Sequence, residues 1–331
     1  MKALCFERFG GPEVLEYREV PLPELQPGHA RVRMEAIGLN FADIYRRRGN
    51  YHLAGKPPYI PGYEGAGVIE ALDSAGTQGK VEGTFQVGDR VAFADSPFAN
   101  AEYVLVPLEK LVPVPAELPL SQAAALMLQG LTAHYLVNDS RRLAPGELAL
   151  VHAAAGGVGS LLVQLVRLKG ARAIGVVSSE EKRRLALEAG AEAALLYSED
   201  WATRARALAP GGRGVDVAYD SVGSTLMDSF RSTRTGGQVV FYGMAGGDPA
   251  PVDPRMLMDT SLTLTGGDLW NVLTSHRERL ARSAELFRWV RDGALKIRIA
   301  HQLPLARGAE AHRLLEGRGV AGKIVLLPRE G

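Results

Sequence analysis

The chain has 331 residues, with 38 basic against 37 acidic side chains, a formal charge of +1 and one cysteine, Cys5. That length makes two domains the natural expectation, and the balanced charge gives no electrostatic reason to expect nucleic acid or a membrane surface as a partner. A single cysteine excludes an internal disulfide and a cysteine-built zinc site. No signal-peptide core opens the chain and no apolar run reaches membrane-spanning length, so a soluble cytoplasmic protein is expected.

Residues 1 to about 120 carry short strand-like runs (Ala3-Phe6, Ala30-Ile37, Gly67-Glu70, Arg90-Phe93, Ala101-Pro107) divided by Pro and Gly turns. This pattern predicts a β-rich, barrel-like unit. Between the runs lies a short helix, Gly38 to Arg46, with Asn40 placed to cap it. From Ser121 the character changes. Ser121 to Val137 is apolar and helical, with Ser121 as cap and Gly130 as an interruption. Helix and strand patterns then alternate: strands at Leu148-His152, Ala173-Val177, Ala193-Tyr197, Val215-Asp220, Gly237-Gly243 and Leu262-Thr265, with helices between them. Such alternation predicts a parallel sheet covered by helices on both faces. A long helix (His276 to Asp292), a short strand (Ile297-Ile299), a helix near Ala309-Glu316 and a last strand (Lys323-Leu327) follow. This tail is too short for a third domain and is expected to return to the first.

The most informative stretch joins the strand Leu148-His152 to a helix through Ala153-Ala154-Ala155-Gly156-Gly157-Val158-Gly159. A strand, a tight glycine turn, a helix and a parallel strand form the unit that binds a dinucleotide. Gly156 admits a pyrophosphate to the backbone, the first N–H groups of the helix hold its charge, and Gly159 lets helix and strand approach. Ala154 replaces the first glycine of the usual pattern. Beyond the second strand come Ser178-Ser179-Glu180-Glu181-Lys182-Arg183-Arg184. Hydroxyls followed by cations one turn later suit a 2'-phosphate and favour NADP. The same residues also fit a capping box at Ser178 and Glu181 with a solvated basic face, and either glutamate could approach a ribose instead.

Taken together, the motifs resemble the zinc-free quinone oxidoreductases of the medium-chain dehydrogenase/reductase superfamily, the ζ-crystallin-like reductases. The residues that carry the resemblance are Gly10-Gly11-Pro12-Glu13-Val14-Leu15, Gly38-Leu39-Asn40-Phe41, Pro61-Gly62-Tyr63-Glu64-Gly65, Val87-Gly88-Asp89-Arg90-Val91, Gly130-Leu131-Thr132-Ala133, the glycine turn, Tyr219-Asp220-Ser221-Val222-Gly223 and Gly322-Lys323-Ile324-Val325. The resemblance implies an α/β fold: a Rossmann-type parallel sheet domain over residues 123–265 and a β-rich GroES-like catalytic domain over 1–122 and 266–331. Zinc-dependent relatives carry a cysteine where Asn40 stands and a histidine where Tyr63 stands, so no metal is expected.

Without a metal the substrate must accept hydride readily, as quinones and activated alkenes do, and the protein places it, excludes water and donates to the developing oxyanion. The resemblance implies that Asn40, Tyr45 and Tyr51 line the substrate cleft, with Asn40 or Tyr45 as the oxyanion donor, and that Thr132 lies near the nicotinamide. It assigns NADPH to Ala154, Ala155, Gly156, Gly157, Val158, Gly159, Ser178, Ser179, Lys182, Tyr197, Gly243 and Arg318, with Lys182, Tyr197 and Arg318 marking the phosphate. It also implies a homodimer, with Leu262-Thr265 as a candidate interface strand. Asp43 is expected to be structural, Glu64 to order its loop, and Arg46-Arg47-Arg48 to be a solvated surface. If those arginines instead flank a groove, an enoyl thioester becomes the rival acceptor. The rival of another class is a nucleotide-binding structural or RNA-binding protein, against which the neutral charge argues.

Overall fold

In the computed structural model, which describes residues 1–328, the chain divides into two compact units. The first comprises Met1–Leu131, Leu273–Gly293 and Ile297–Gly331, and the second Thr132–Val272 with Ala294–Lys296. Both crossings come later than expected, the first of them inside the helix Leu120–Tyr135.

The first unit is organised on the strand His29–Leu39. Ala30, Val32 and Met34 point inward in alternation with half-exposed Arg31, Arg33 and Glu35, the period of a sheet with one face in water. From Ala36 to Leu39 every residue is buried. This strand pairs antiparallel with Glu64–Asp73, Tyr103–Pro107 and Lys323–Leu327, the last of which brings the tail back as expected. Arg90–Ala94 and Leu111–Pro113 extend one side of the sheet and Ile299–Pro304 the other. The expected strand at Ile297-Ile299 begins only at its last residue, because Ile299–Pro304 is an edge strand whose His301 and Gln302 face water. The strand Glu16–Glu19, mostly polar, pairs with Lys2–Cys5 and carries no apolar signal in the sequence.

The second unit holds a six-stranded sheet in the order Ala193–Leu196, Arg172–Val177, Leu148–His152, Val215–Asp220, Thr233–Phe241, Thr263–Gly266. Every pairing is parallel. The chain leaves Leu148–His152 in one direction and resumes beside it at Val215–Asp220 in the other. The crevice at the carboxyl ends of these two strands is where open α/β sheets bind ligands. Leu148–His152 is buried along its whole length, which explains its unbroken apolar run.

Two helix expectations change. Leu120–Tyr135 starts before Ser121, which is therefore inside it, and runs through Gly130 without interruption. A Cβ at Gly130 would lie 2.7 Å from Leu126 Cδ1 and 3.3 Å from Leu286 Cδ1, so glycine serves close packing there. The helix Pro254–Thr260 was not expected, although Asp253 caps it and Pro254 opens it. Among the described residues no helix is long and apolar enough to cross a membrane.

Candidate nucleotide and substrate sites

The strand Leu148–His152 ends in a strained turn. Ala153 has φ +48°, a left-handed conformation uncommon outside glycine. Its carbonyl accepts from the Gly156 N–H at 2.7 Å, and a Cβ on Gly159 would lie 2.2 Å from that same oxygen. Gly159 is therefore required by the approach of helix to strand. The helix Gly157–Leu168 starts with Gly156 as N-cap and no side-chain cap, so its first-turn amides meet no cap from the protein. An uncapped helix start with glycine at both close approaches fits a pyrophosphate.

A buried chain of hydrogen bonds supports the turn. The Tyr197 hydroxyl accepts from the Ala153 N–H at 2.9 Å and lies 3.1 Å from His152 Nδ1. His152 Nε2 lies 2.9 Å from Ser229 Oγ, which donates to Asp220 Oδ2 at 2.7 Å. Because Ser229 gives its proton to Asp220, it accepts from His152 Nε2–H. That leaves Nδ1 as acceptor for the tyrosine proton. Burial holds His152 below the ordinary histidine range, which keeps it neutral, against the opposing pull of Asp220. Asp220, fully buried, also accepts from the Val222 and Gly223 amides and from Thr225 Oγ1. Burial opposes its charge, but the neighbouring His152 together with these bonds outweighs burial and holds its carboxyl below the usual range. Gly243 passes beside it, its absent Cβ 3.1 Å from the Ser221 carbonyl.

At the end of the next strand, Lys182 Nζ lies 3.3 Å from Ser178 Oγ. Ser179, rather than Ser178, caps the helix Glu180–Glu188, accepting from the Lys182 N–H. Arg183 is held by Glu180 and Glu199, and Arg184 by Glu188. Lys182 is thus the cation that accompanies a hydroxyl at the strand end. Burial lowers its pKa, with Glu181 pulling the other way. Tyr197 has its hydroxyl directed to Ala153 and His152, so what it can offer a ligand is its ring. Arg318 is exposed, has φ +54° and belongs to the first unit. Thr132 is buried at 8% exposure in the second unit.

In the first unit, Asn40 stands at the N-cap of Phe41–Arg48, but its side chain does not cap. Instead Oδ1 accepts from Lys323 Nζ at 2.8 Å and Gln129 Nε2 at 3.2 Å. Nδ2 donates to Glu64 Oε2 at 2.8 Å and the Gly38 carbonyl at 3.3 Å. All four bonding positions of this amide are engaged within the protein. Asp43 makes the reverse cap, accepting from the Asn40 N–H at 2.9 Å, and pairs with Arg46 at 3.3 Å. The Arg46 guanidinium lies 3.6 Å from the centre of the Tyr63 ring and 5.0 Å from that of Tyr51. Tyr45 and Tyr51 meet edge to face with centroids 6.3 Å apart.

The arginine run is therefore no solvated surface. Arg46 and Arg47 are fully buried, Arg47 on Glu316, the Gly10 carbonyl and His312, and only Arg48 is exposed, itself paired with Glu316. Arg47 cannot read from sequence as anything but surface, since His312 and Glu316 lie far along the chain, whereas Arg46 finds Asp43 and His52 close by. Lys323 does not read as a site residue for the same reason as Arg47, and Glu64, expected to order its loop, also binds Asn40 and Lys323. Among the described residues no three His, Cys, Asp or Glu side chains converge in a way that could hold a metal.

Two family models match the chain: an alcohol dehydrogenase GroES-like domain over residues 26–145 and a zinc-binding dehydrogenase over 157–285. A quinone oxidoreductase of Pseudomonas aeruginosa is 40% identical, over 99% of both chains. A 2-haloacrylate reductase of Burkholderia is 39% identical, also over 99% of both. The solved structure of Escherichia coli quinone oxidoreductase complexed with NADPH superposes with a TM-score of 0.94 at 34% identity, covering 99% of this chain and all 100% of that one.

Proposed function

Since the chain belongs to the quinone oxidoreductase family of the medium-chain dehydrogenase/reductase superfamily, we propose that it is a metal-free oxidoreductase that reduces quinones with NADPH. The observation that supports this most is the pairing of a dinucleotide turn with a strand end bearing Ser178 and Lys182 rather than a lone carboxylate. The bound cofactor supplies the hydride. Gly156, Gly157, Val158 and Gly159 hold its pyrophosphate, with Ala154 and Ala155 shaping the turn. Ser178, Ser179 and Lys182 receive the 2'-phosphate, and the Tyr197 ring completes the adenosine side. Gly243 and Thr132 leave room for the nicotinamide.

A quinone that takes hydride gains a negative oxygen, which a hydroxyl donor stabilises. We assign that role to Tyr45, with Tyr51 closing the ring face of the site and Asn40 fixing the helix that carries Tyr45. The donor set supports metal-free chemistry: Asn40 and Tyr63 are engaged with Lys323, Glu64 and the Ala54 amide. Pairing of the edge strand Thr263–Gly266 between two copies accounts for a homodimer, and we expect a cytoplasmic enzyme.

The second reading, reduction of an activated alkene, is favoured by the relative that reduces a 2-haloacrylate. Burial of Arg46 and Arg47 removes the basic groove that a carrier-bound thioester would need. The deciding experiment is anaerobic NADPH oxidation by chelator-treated protein with a benzoquinone, a polycyclic quinone and an α,β-unsaturated aldehyde. Full turnover of quinones upholds the proposal. Turnover of the aldehyde alone moves the activity to double-bond reduction, and loss of rate on chelation refutes the metal-free mechanism.

A further inference from the structure

Lys323 and Glu64 form an ion pair 2.5 Å apart with 2% and 0% of their side chains exposed. A buried pair of this kind gives little net stability over apolar residues of equal volume, because desolvation offsets the attraction. What it does give is geometry. Asn40 is held between the two charges, its oxygen on the ammonium at 2.8 Å and its nitrogen on the carboxylate at 2.8 Å, so its orientation is fixed. The other Glu64 oxygen accepts from the Leu128 N–H at 2.5 Å, in the middle of Leu120–Tyr135. No side chain fits between these groups: a Cβ on Gly38 would fall 2.2 Å from Glu64 Oε2.

The same set continues along the helix Phe41–Arg48. Asn40 N–H donates to Asp43, Asp43 pairs with Arg46, and Arg46 lies over the Tyr63 and Tyr51 rings. Lys323, Glu64, Asp43 and Arg46 carry two positive and two negative charges, all fully or almost fully buried, so the series is neutral and mutually satisfied. Tyr45 sits on the helix that it braces.

We propose that Lys323 and Glu64 are positioning residues for hydride transfer: by clamping both ends of the Asn40 amide they fix the first turn of Phe41–Arg48, and with it the hydroxyl of Tyr45. The inference rests on the role given to Tyr45 above. The step it serves is unchanged, a hydride to the quinone ring and a proton to its oxygen.

The test compares Lys323→Met, Glu64→Gln and the charge-free pair Lys323→Met/Glu64→Leu by steady-state kinetics and by hydrogen exchange of residues 40–48. A single substitution that leaves one charge buried and unpaired can prevent folding, so the double variant carries the test. It is expected to melt close to the wild type, yet to lose about tenfold in kcat for quinone with KM for NADPH nearly unchanged. Exchange at 40–48 should rise severalfold, while exchange at 156–168 stays put. Glu64→Gln, which keeps one acceptor oxygen, for Asn40 or for Leu128 but not for both, should fall between. Wild-type kcat and exchange in the double variant overturn the proposal, since the pair then only balances charge. If wild-type protein reduces no acceptor but exchange at 40–48 still rises in the double variant, the clamp stands and the quinone reading alone falls.

Discussion

The roles proposed for Tyr45 and Lys182 each rest on one atom, and each is tested by removing it. Tyr45→Phe keeps the ring, and with it the edge contact to Tyr51. If its hydroxyl meets the developing oxyanion, kcat for quinones should fall roughly a hundred- to a thousandfold, the order expected for one such donor. KM for NADPH should not change. Turnover equal to the wild type would make Tyr45 a packing residue. Lys182→Ala removes the ammonium that accompanies Ser178 at the strand end. A charged hydrogen bond is worth roughly 1.5–3 kcal/mol, so KM for NADPH should rise about tenfold or more. NADH lacks the phosphate and should be almost unaffected. Equal changes for both cofactors would remove Lys182 as the discriminator.

At the scale of the element, the glycine turn and the hydrogen-bonded chain behind it predict a different outcome. Tyr197→Phe leaves the ring but takes the partner of the Ala153 N–H and of His152 Nδ1. Ala153 is held at positive φ by these contacts, and the turn it starts serves both cofactors. Binding of NADPH and NADH, followed by nicotinamide fluorescence, should therefore weaken by a similar factor. A loss confined to NADPH would return Tyr197 to the phosphate site. Gly159→Ala should be more damaging, because its Cβ would meet the Ala153 carbonyl at 2.2 Å, a backbone atom that cannot rotate away. Overpacking of this kind costs about 1–3 kcal/mol, and calorimetry of the variant should show the transition of the second unit lowered. These two elements also mark what could be read from sequence. Trp201–Leu208, Val215–Asp220 and Lys323–Leu327 fall where local periodicity puts them, and the glycine turn lies between strand and helix because its spacing is local too. The Lys323, Glu64 and Asn40 cluster was not legible, since Lys323 lies more than 250 positions from the other two and each taken alone is an ordinary surface residue type or cap. Which of Ser178 and Ser179 caps the helix is not legible either, because adjacent hydroxyls differ only in backbone angle.

Over the whole molecule, two buried histidines, His312 and His152, contribute to how the protein answers acid. His312 is fully buried in the first unit, its Nδ1 accepting from Arg47 at 3.0 Å, with its Nε2 meeting no partner among the described residues. Burial, and then the neighbouring Arg47 charge, lower its pKa from 6.5 to about 3. The unfolded chain therefore binds a proton between these values that the folded chain refuses. Stability rises with pH in that interval, so the contribution of neutral His312 is complete above pH 6.5 and is lost as pH falls toward 3. His152, lowered in the second unit by its own burial, acts in the same direction. His312→Asn keeps an acceptor for Arg47 and removes the titration. Its unfolding free energy, followed by denaturant melts across this range, should depend less steeply on pH than that of the wild type, by up to about 1.4 kcal/mol per pH unit. If the two units melt separately, the change belongs to the first unit alone, with the acid response of the second, set by His152, untouched. An identical slope in the variant would mean that His312 takes its proton in the folded protein, and the cavity around Nε2 would then have to admit water.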